Sequence, residues 1–161
     1  MKLKLNGLTL AELVVVFFII GILVATATPS ASRLYEESRL RRRATEVLSY
    51  LRQARQYAVT EQSIYGVKLD ITNNLVYLLH LTPDPADPGQ YIENQVSVMT
   101  IESPLTIAST SLSTNEVLTF NAVGNPSKSA DIVLADDESH YRTICVNAAG
   151  SIELRIASTC S

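Results

Sequence analysis

Histidine is scarce in this 161-residue sequence: His80 and His140 are the only two, far apart along the chain, and each reads as an ordinary strand residue rather than a base or a ligand. No Gly-x-Ser-x-Gly, no glycine loop fit to cradle a phosphate and no His-Glu-x-x-His occurs, so the usual hydrolytic, nucleotide-binding and zinc-protease sites lack their parts. The chain reads as a non-enzyme with no cofactor. Two cysteines, Cys145 and Cys160, are too few for a thiolate metal centre. The acidic run Asp136-Asp137-Glu138 could attract calcium, but that ion takes six or more oxygens, and three acids between strands read as a turn. No metal is expected. The length and a hydrophobic content of 47% suit one domain with a modest core plus one extra apolar helix. Neither an internal repeat nor a second domain is evident.

Basic residues are scarce in the second part of the chain. From Gln56 onward only Lys68, Lys128, Arg142 and Arg155 oppose twelve acids, a local charge of -8 within a total of -3. Such a surface repels nucleic acid phosphates. Just before it, Arg33 to Arg55 holds seven arginines (33, 39, 41, 42, 43, 52 and 55) against Glu36, Glu37 and Glu46. A basic stem precedes an acidic head.

Leu13 to Ala25 is apolar throughout apart from Gly21, and low polarity reaches back to Leu8, so that Leu8 to Ala27 makes twenty residues. As a helix rising about 1.5 Å per residue it spans roughly 30 Å, the thickness of a bilayer's hydrocarbon core. Glu12 breaks the pattern. An acid at the centre of a spanning helix costs about 2.5 to 3.5 kcal/mol on insertion scales, less near an end, and calls for a partner. After Pro29, Leu40, Ala44, Val47, Leu48, Leu51, Ala54 and Ala58 recur at helical spacing, with arginines on the other faces. No glycine lies between Arg33 and Tyr65, so a helix is expected to run to about Glu61, bent at Pro29 where an N–H is missing.

Beyond it the pattern predicts strands: Ile64 to Ile71 and Leu75 to Leu81 as a hairpin around Thr72-Asn73-Asn74, then Gln95 to Glu102, Leu105 to Ala108, Val117 to Asn121, Asp131 to Ala135, Tyr141 to Asn147 and Ser151 to Ile156. Proline-rich Thr82 to Gly89 should end the second strand. The fold class is therefore α+β: a long N-terminal transmembrane-plus-amphipathic helix packed on an antiparallel β-sheet head.

Gly7-Leu8-Thr9-Leu10-Ala11-Glu12-Leu13, preceded by Lys2 and Lys4, resembles the prepilin leader motif of the type IV pilin family. That resemblance implies cleavage after Gly7 by a prepilin peptidase, N-methylation of Leu8, and Glu12 as the fifth mature residue. Leu8 departs from the phenylalanine more usual there. In this reading Glu12 neutralises the new amine of a neighbouring subunit and complements the helix dipole, while Pro29 falls where pilin helices often carry proline. The expected organisation is a leader over 1–7, a transmembrane segment over 8–29, an amphipathic helix over 30–62 and a periplasmic head over 63–161.

Phe120-Asn121-Ala122-Val123-Gly124-Asn125-Pro126, Ile132-Val133-Leu134 and Arg142 to Gly150 resemble the tail of the GspH/FimT family of minor pseudopilins and minor pilins. The resemblance implies a subunit of a type II secretion pseudopilus or a type IV pilus, held single-pass in the bacterial inner membrane and assembling with other pilin or pseudopilin subunits. One branch of that family binds DNA through a Gly-Arg-x-Arg tail motif. The matching positions here read Gly150-Ser151-Ile152-Glu153, without either arginine, so DNA is disfavoured as a partner. In an oxidising periplasm, Cys145 and Cys160 are expected to form a disulfide.

Two alternatives stay open beside the filament subunit: a DNA receptor for uptake, and an ordinary secreted protein cut after Ala27 in Ala25-Thr26-Ala27. Glu12 does not suit a signal core. Orientation is also contested, because Arg33, Arg39 and Arg41 to Arg43 follow the apolar run and a simple positive-inside count would place the head in the cytoplasm. The leader motif implies the opposite.

Overall fold

The structure, a computed structural model, describes residues 9–113, 116–137 and 140–160, with the side chains of 25–34 and 36 left out. It divides into two compact units, Met1–Glu37 and Ser38–Ser161. One helix, α1 (Leu10–Thr60), crosses the division and runs through Pro29 as a single helical element.

In the first unit, the large apolar side chains of α1 from Leu10 to Val24 are all between 47% and 84% exposed. A helix that is apolar on every side is stable only when something apolar covers it. Among the described residues no helix is long and apolar enough to cross a membrane.

In the second unit the expected stripe is buried in full: Leu40, Ala44, Val47, Leu51, Ala54 and Ala58 have no exposed surface and Leu48 has almost none. It belongs to one hydrophobic core with residues from both of the sheets described next. The helix ends at Thr60 with Gln62 in the left-handed region, φ 52°. Ser63 N–H reaches back to the Ala58 carbonyl at 3.2 Å, the six-residue closure of a Schellman motif.

Eight strands follow: β1 (Ile64–Asp70), β2 (Leu75–Pro83), β3 (Tyr91–Thr100), β4 (Thr106–Thr110), β5 (Val117–Phe120), β6 (Ala130–Ala135), β7 (Tyr141–Val146) and β8 (Ile152–Arg155). They form two four-stranded antiparallel sheets, in the orders β3-β2-β1-β5 and β4-β6-β7-β8. The α+β class with an antiparallel head stands, built as two sheets rather than one.

Most expected strand ends shift by one or two residues, β3 ending at Thr100 instead of Glu102 and β4 at Thr110 instead of Ala108, and two differences have a physical reason. Strand β2 continues two residues past Leu81, with Pro83 paired to Tyr91, because an edge-facing proline at a strand end need donate nothing to the ladder. Strand β3 begins at Tyr91 rather than Gln95; it is a sheet edge, exposed along most of its length, so no burial alternation marks its start. The β1–β2 turn is held by Asp70, whose carboxylate accepts from the Asn73 backbone and side chain at 3.0 and 2.7 Å. Between β2 and β3 the loop closes on itself, with Asp84 N–H on the Gln90 carbonyl, Gln90 N–H on the Asp87 carbonyl and Ala86 N–H on the Asp84 carboxylate.

Candidate functional site

Glu12 sits in the first turn of α1, where its carboxylate complements the positive helix end. Its own backbone N–H donates to Thr9 Oγ1 at 3.3 Å, and the Thr9 carbonyl accepts from Leu13 N–H at 3.2 Å. Thr9 is thus the N-cap, and Thr9-Leu10-Ala11-Glu12 has the Thr-x-x-Glu spacing of a capping box. A glutamate at this spacing suits the start of a helix. Gly7 and Leu8, the expected cleavage and methylation positions, lie outside the described residues. Pro29 lies within α1.

Further along α1 the arginines divide into two groups. Arg39 reaches the Ser103 carbonyl at 3.3 Å, Arg52 the Ile152 carbonyl at 3.4 Å, and Arg55 Nε the Gly124 carbonyl at 3.0 Å. Arg43 forks between Glu46 at 2.8 Å and Glu102 at 3.1 Å, and the Glu46 hydrogen bond, reinforced by Glu102, raises its guanidinium above its ordinary value. These four brace the helix against the sheets. Arg41 and Arg42 are exposed and make no side-chain hydrogen bond or ion pair among the described residues. With Ser38, Thr45, Glu46 and Ser49 they line an open cleft.

Arg55 lies against two turns with the same build. In Asn121-Ala122-Val123-Gly124-Asn125, the Asn121 carboxamide oxygen accepts from Val123 and Asn125 N–H, both at 3.0 Å, and Gly124 N–H donates to the Asn121 carbonyl at 2.8 Å. In Asn147-Ala148-Ala149-Gly150-Ser151, the Asn147 oxygen accepts from Ala149 and Ser151 N–H at 3.0 and 2.9 Å, and Gly150 N–H donates to the Asn147 carbonyl at 2.9 Å. Both glycines have positive φ, 89° and 80°. A Cβ on Gly150 would stand 2.6 Å from the Gly124 carbonyl oxygen, and one on Gly124 would stand 3.0 Å from Arg55 Nε and from Val59. The first turn follows β5 of one sheet and the second joins β7 to β8 of the other, so Arg55 stands where both sheets meet the helix. Asn-Ala-x-Gly occurs twice in the sequence, and this local repeat is the sequence signal for the paired turns.

At the helix exit Tyr65 is buried, stacks on His80 with centroids 4.5 Å apart, and donates to Glu61. Burial, with Glu61 adding to it, pushes its phenol up to about 12. His80 also shares a hydrogen bond of 2.9 Å with the Ser63 hydroxyl; no acid orients the pair into a catalytic triad among the described residues. His140 lies just before β7, not within a strand, bonded through Nδ1 to Asp136 at 2.9 Å. Among the described residues no group of three or more His, Cys, Asp or Glu could hold a metal ion.

Cys145 and Cys160 are joined, with Cα atoms 5.7 Å apart. The bridge folds the segment after β8 back beside β7, where Thr143 Oγ1 donates to the Ala157 carbonyl and Arg155 to the Cys160 carbonyl. Glu153, where a DNA-reading arginine would stand, is exposed and pairs with Arg155 at 3.3 Å.

The profile of the family described as "Type II transport protein GspH" matches residues 43–150, about two thirds of the chain, from the bracing arginine Arg43 to the second turn glycine. The chain belongs to this family. Its members are minor pseudopilins and type IV minor pilins of the GspH/FimT type, structural subunits of filaments. Two solved structures share the fold. The minor pseudopilin EpsH of the type 2 secretion system of Vibrio cholerae is 15% identical, with a TM-score of 0.58, over 73% of this chain and 96% of its own. The type IV minor pilin FimU of Pseudomonas aeruginosa is 17% identical, also at 0.58, over 76% of this chain and all of its own. No curated protein matches this chain by sequence. At such identities the likeness carries the fold alone, and the GspH match begins 36 residues after Gly7, so the leader motif rests on its own residues.

Proposed function

We propose that this GspH-family chain is made as a precursor, cut after Gly7 by a prepilin peptidase and N-methylated on Leu8, and then held in the inner membrane by 8–29 until it enters a secretion pseudopilus or a type IV pilus. In this reading 30–62 forms the stem, with Pro29 as the bend, and 63–161 is the periplasmic head. The observation that carries the reading is the order of parts. A Gly7-to-Glu12 leader motif precedes an apolar helical run, and the same helix continues into a family head. The disulfide fits an oxidising compartment. Glu12 is the assembly contact, because insertion alone would favour an apolar residue there, and the methylated amine of Leu8 on a neighbour is the charge it meets.

Intact-mass measurement of the protein extracted from membranes tests this directly. The expected mass is that of a chain beginning at N-methyl-Leu8. A chain beginning at Thr28 would mean an ordinary secreted protein, and one retaining Met1 would mean no processing; either overturns the reading.

A further inference from the structure

Six arginines with described side chains lie on α1, and four of them are bound to the head of the same chain. Arg41 and Arg42 are not, although both are exposed. Arg42 stands three residues from Arg39, and like charges at such a spacing destabilise a helix. Arg43 is offset by Glu46 and Glu102, which are both already engaged there. Around Arg41 and Arg42 the cleft offers small side chains, Ser38, Thr45 and Ser49, which leave room for an approaching surface, the Thr45 and Ser49 hydroxyls being turned inward onto the Arg41 and Glu46 carbonyls.

The chemistry that complements this face is on the same page of the sequence. Residues 56–161 carry -8, and Asp87 and Asp137 are exposed carboxylates with no ion pair among the described residues. We infer that the Arg41–Arg42 face of the stem is a docking site for the carboxylate-rich head of the adjacent filament subunit, a head of the same acidic character as this one. A stem-to-head contact uses different surfaces on the two partners, and such heterologous contacts propagate along an open helical array instead of closing into a pair. The charges would steer and register the subunit as it joins. The inference rests on the filament reading, and concerns a site distinct from Glu12.

The test places a photo-crosslinker at the cleft, Thr45→p-benzoylphenylalanine, in the full-length chain expressed with its filament system. The expected product joins this chain to a head peptide of a filament subunit that contains Asp or Glu, identified by mass spectrometry. Arg41→Glu with Arg42→Glu should reduce its yield roughly fivefold or more, Arg41→Lys with Arg42→Lys should largely keep it, and Lys in place of the crosslinked acids should restore it to the Glu variant. The head's thermal transition should not move. If the Glu variant crosslinks like the parent while Glu12→Val abolishes incorporation, the docking inference fails and the filament reading stands. If the parent is absent from filaments, both fail. Salt-steep binding of duplex DNA lost in the Glu variant, with the crosslink unchanged, would make nucleic acid the occupant and overturn the inference.

Discussion

The two halves of α1 are made of similar apolar residues but solve opposite problems. From Leu40 to Ala58 the apolar positions form one stripe, buried under two sheets, and the polar faces hold arginines that reach across to head carbonyls. From Leu10 to Val24 the apolar side chains point in every direction and all are exposed. Hydrophobic content does not separate the halves; its distribution around the helix does. A one-sided stripe implies a cover supplied by the chain itself, whereas an all-round surface implies a cover supplied from outside.

Truncation should expose that difference most sharply. Leu51→Ala removes a fully buried side chain from the stripe and is expected to cost the head about 2 to 5 kcal/mol, read by chemical denaturation. Phe17→Ala removes a larger side chain from the exposed run and should leave the same transition unchanged. If Phe17→Ala destabilised the head, the two halves would not be independent.

The disulfide comes next. Cys145→Ser with Cys160→Ser opens a loop of 15 residues and should lower stability by about 3 kcal/mol in the chain-entropy picture. Free thiols found in unreduced, denatured protein would contradict the bridge. An effect of about 1 to 3 kcal/mol is expected for Gly150→Ala, where a Cβ meets the Gly124 carbonyl at positive φ. Gly21→Ala in the exposed run meets nothing within 4 Å, and should leave the head's transition in place.

A smaller effect depends on pH. The Tyr65 phenol is raised from 10.0 to about 12 by burial and then by Glu61, so the folded state holds the proton more tightly than the unfolded state does. Its contribution is complete below pH 10 and is lost as pH rises towards 12. Tyr65→Phe should flatten the fall in stability over that window, measured by denaturant midpoints at several pH values. An unchanged slope would mean that other groups govern the alkaline limit.

Much of the fold was legible because local patterns encode burial. All seven stripe residues are in the core, and each of the eight expected strands exists. The division into two sheets was not legible, because it is decided by non-local pairing: β4 leaves the sheet of β1 to β3, β5 returns to it, and nothing in their short sequences records the exchange. The roles of the arginines were hidden for a related reason. A run of basic residues on a helix reads as one solvated face, yet Arg39, Arg43, Arg52 and Arg55 find partners 59 to 100 residues away. The twin Asn-Ala-x-Gly turns were in plain view, but their meaning depends on being adjacent in space. Cleavage, methylation and the contact of Glu12 remain sequence readings, carried by a motif whose first residues lie outside the described part of the chain.

The loop between β2 and β3 offers a practical handle. Its backbone bonds from Asp84 to Gln90 are internal to the loop, and residues 85–90 are exposed, so lengthening it disturbs neither the register of the hairpin nor the core. A short epitope or fluorophore tag in this loop would leave the stem, the twin turns and the tail bridge untouched, would allow the protein to be followed in a living cell, and, being beside Asp87, would also report on whether that carboxylate takes part in docking.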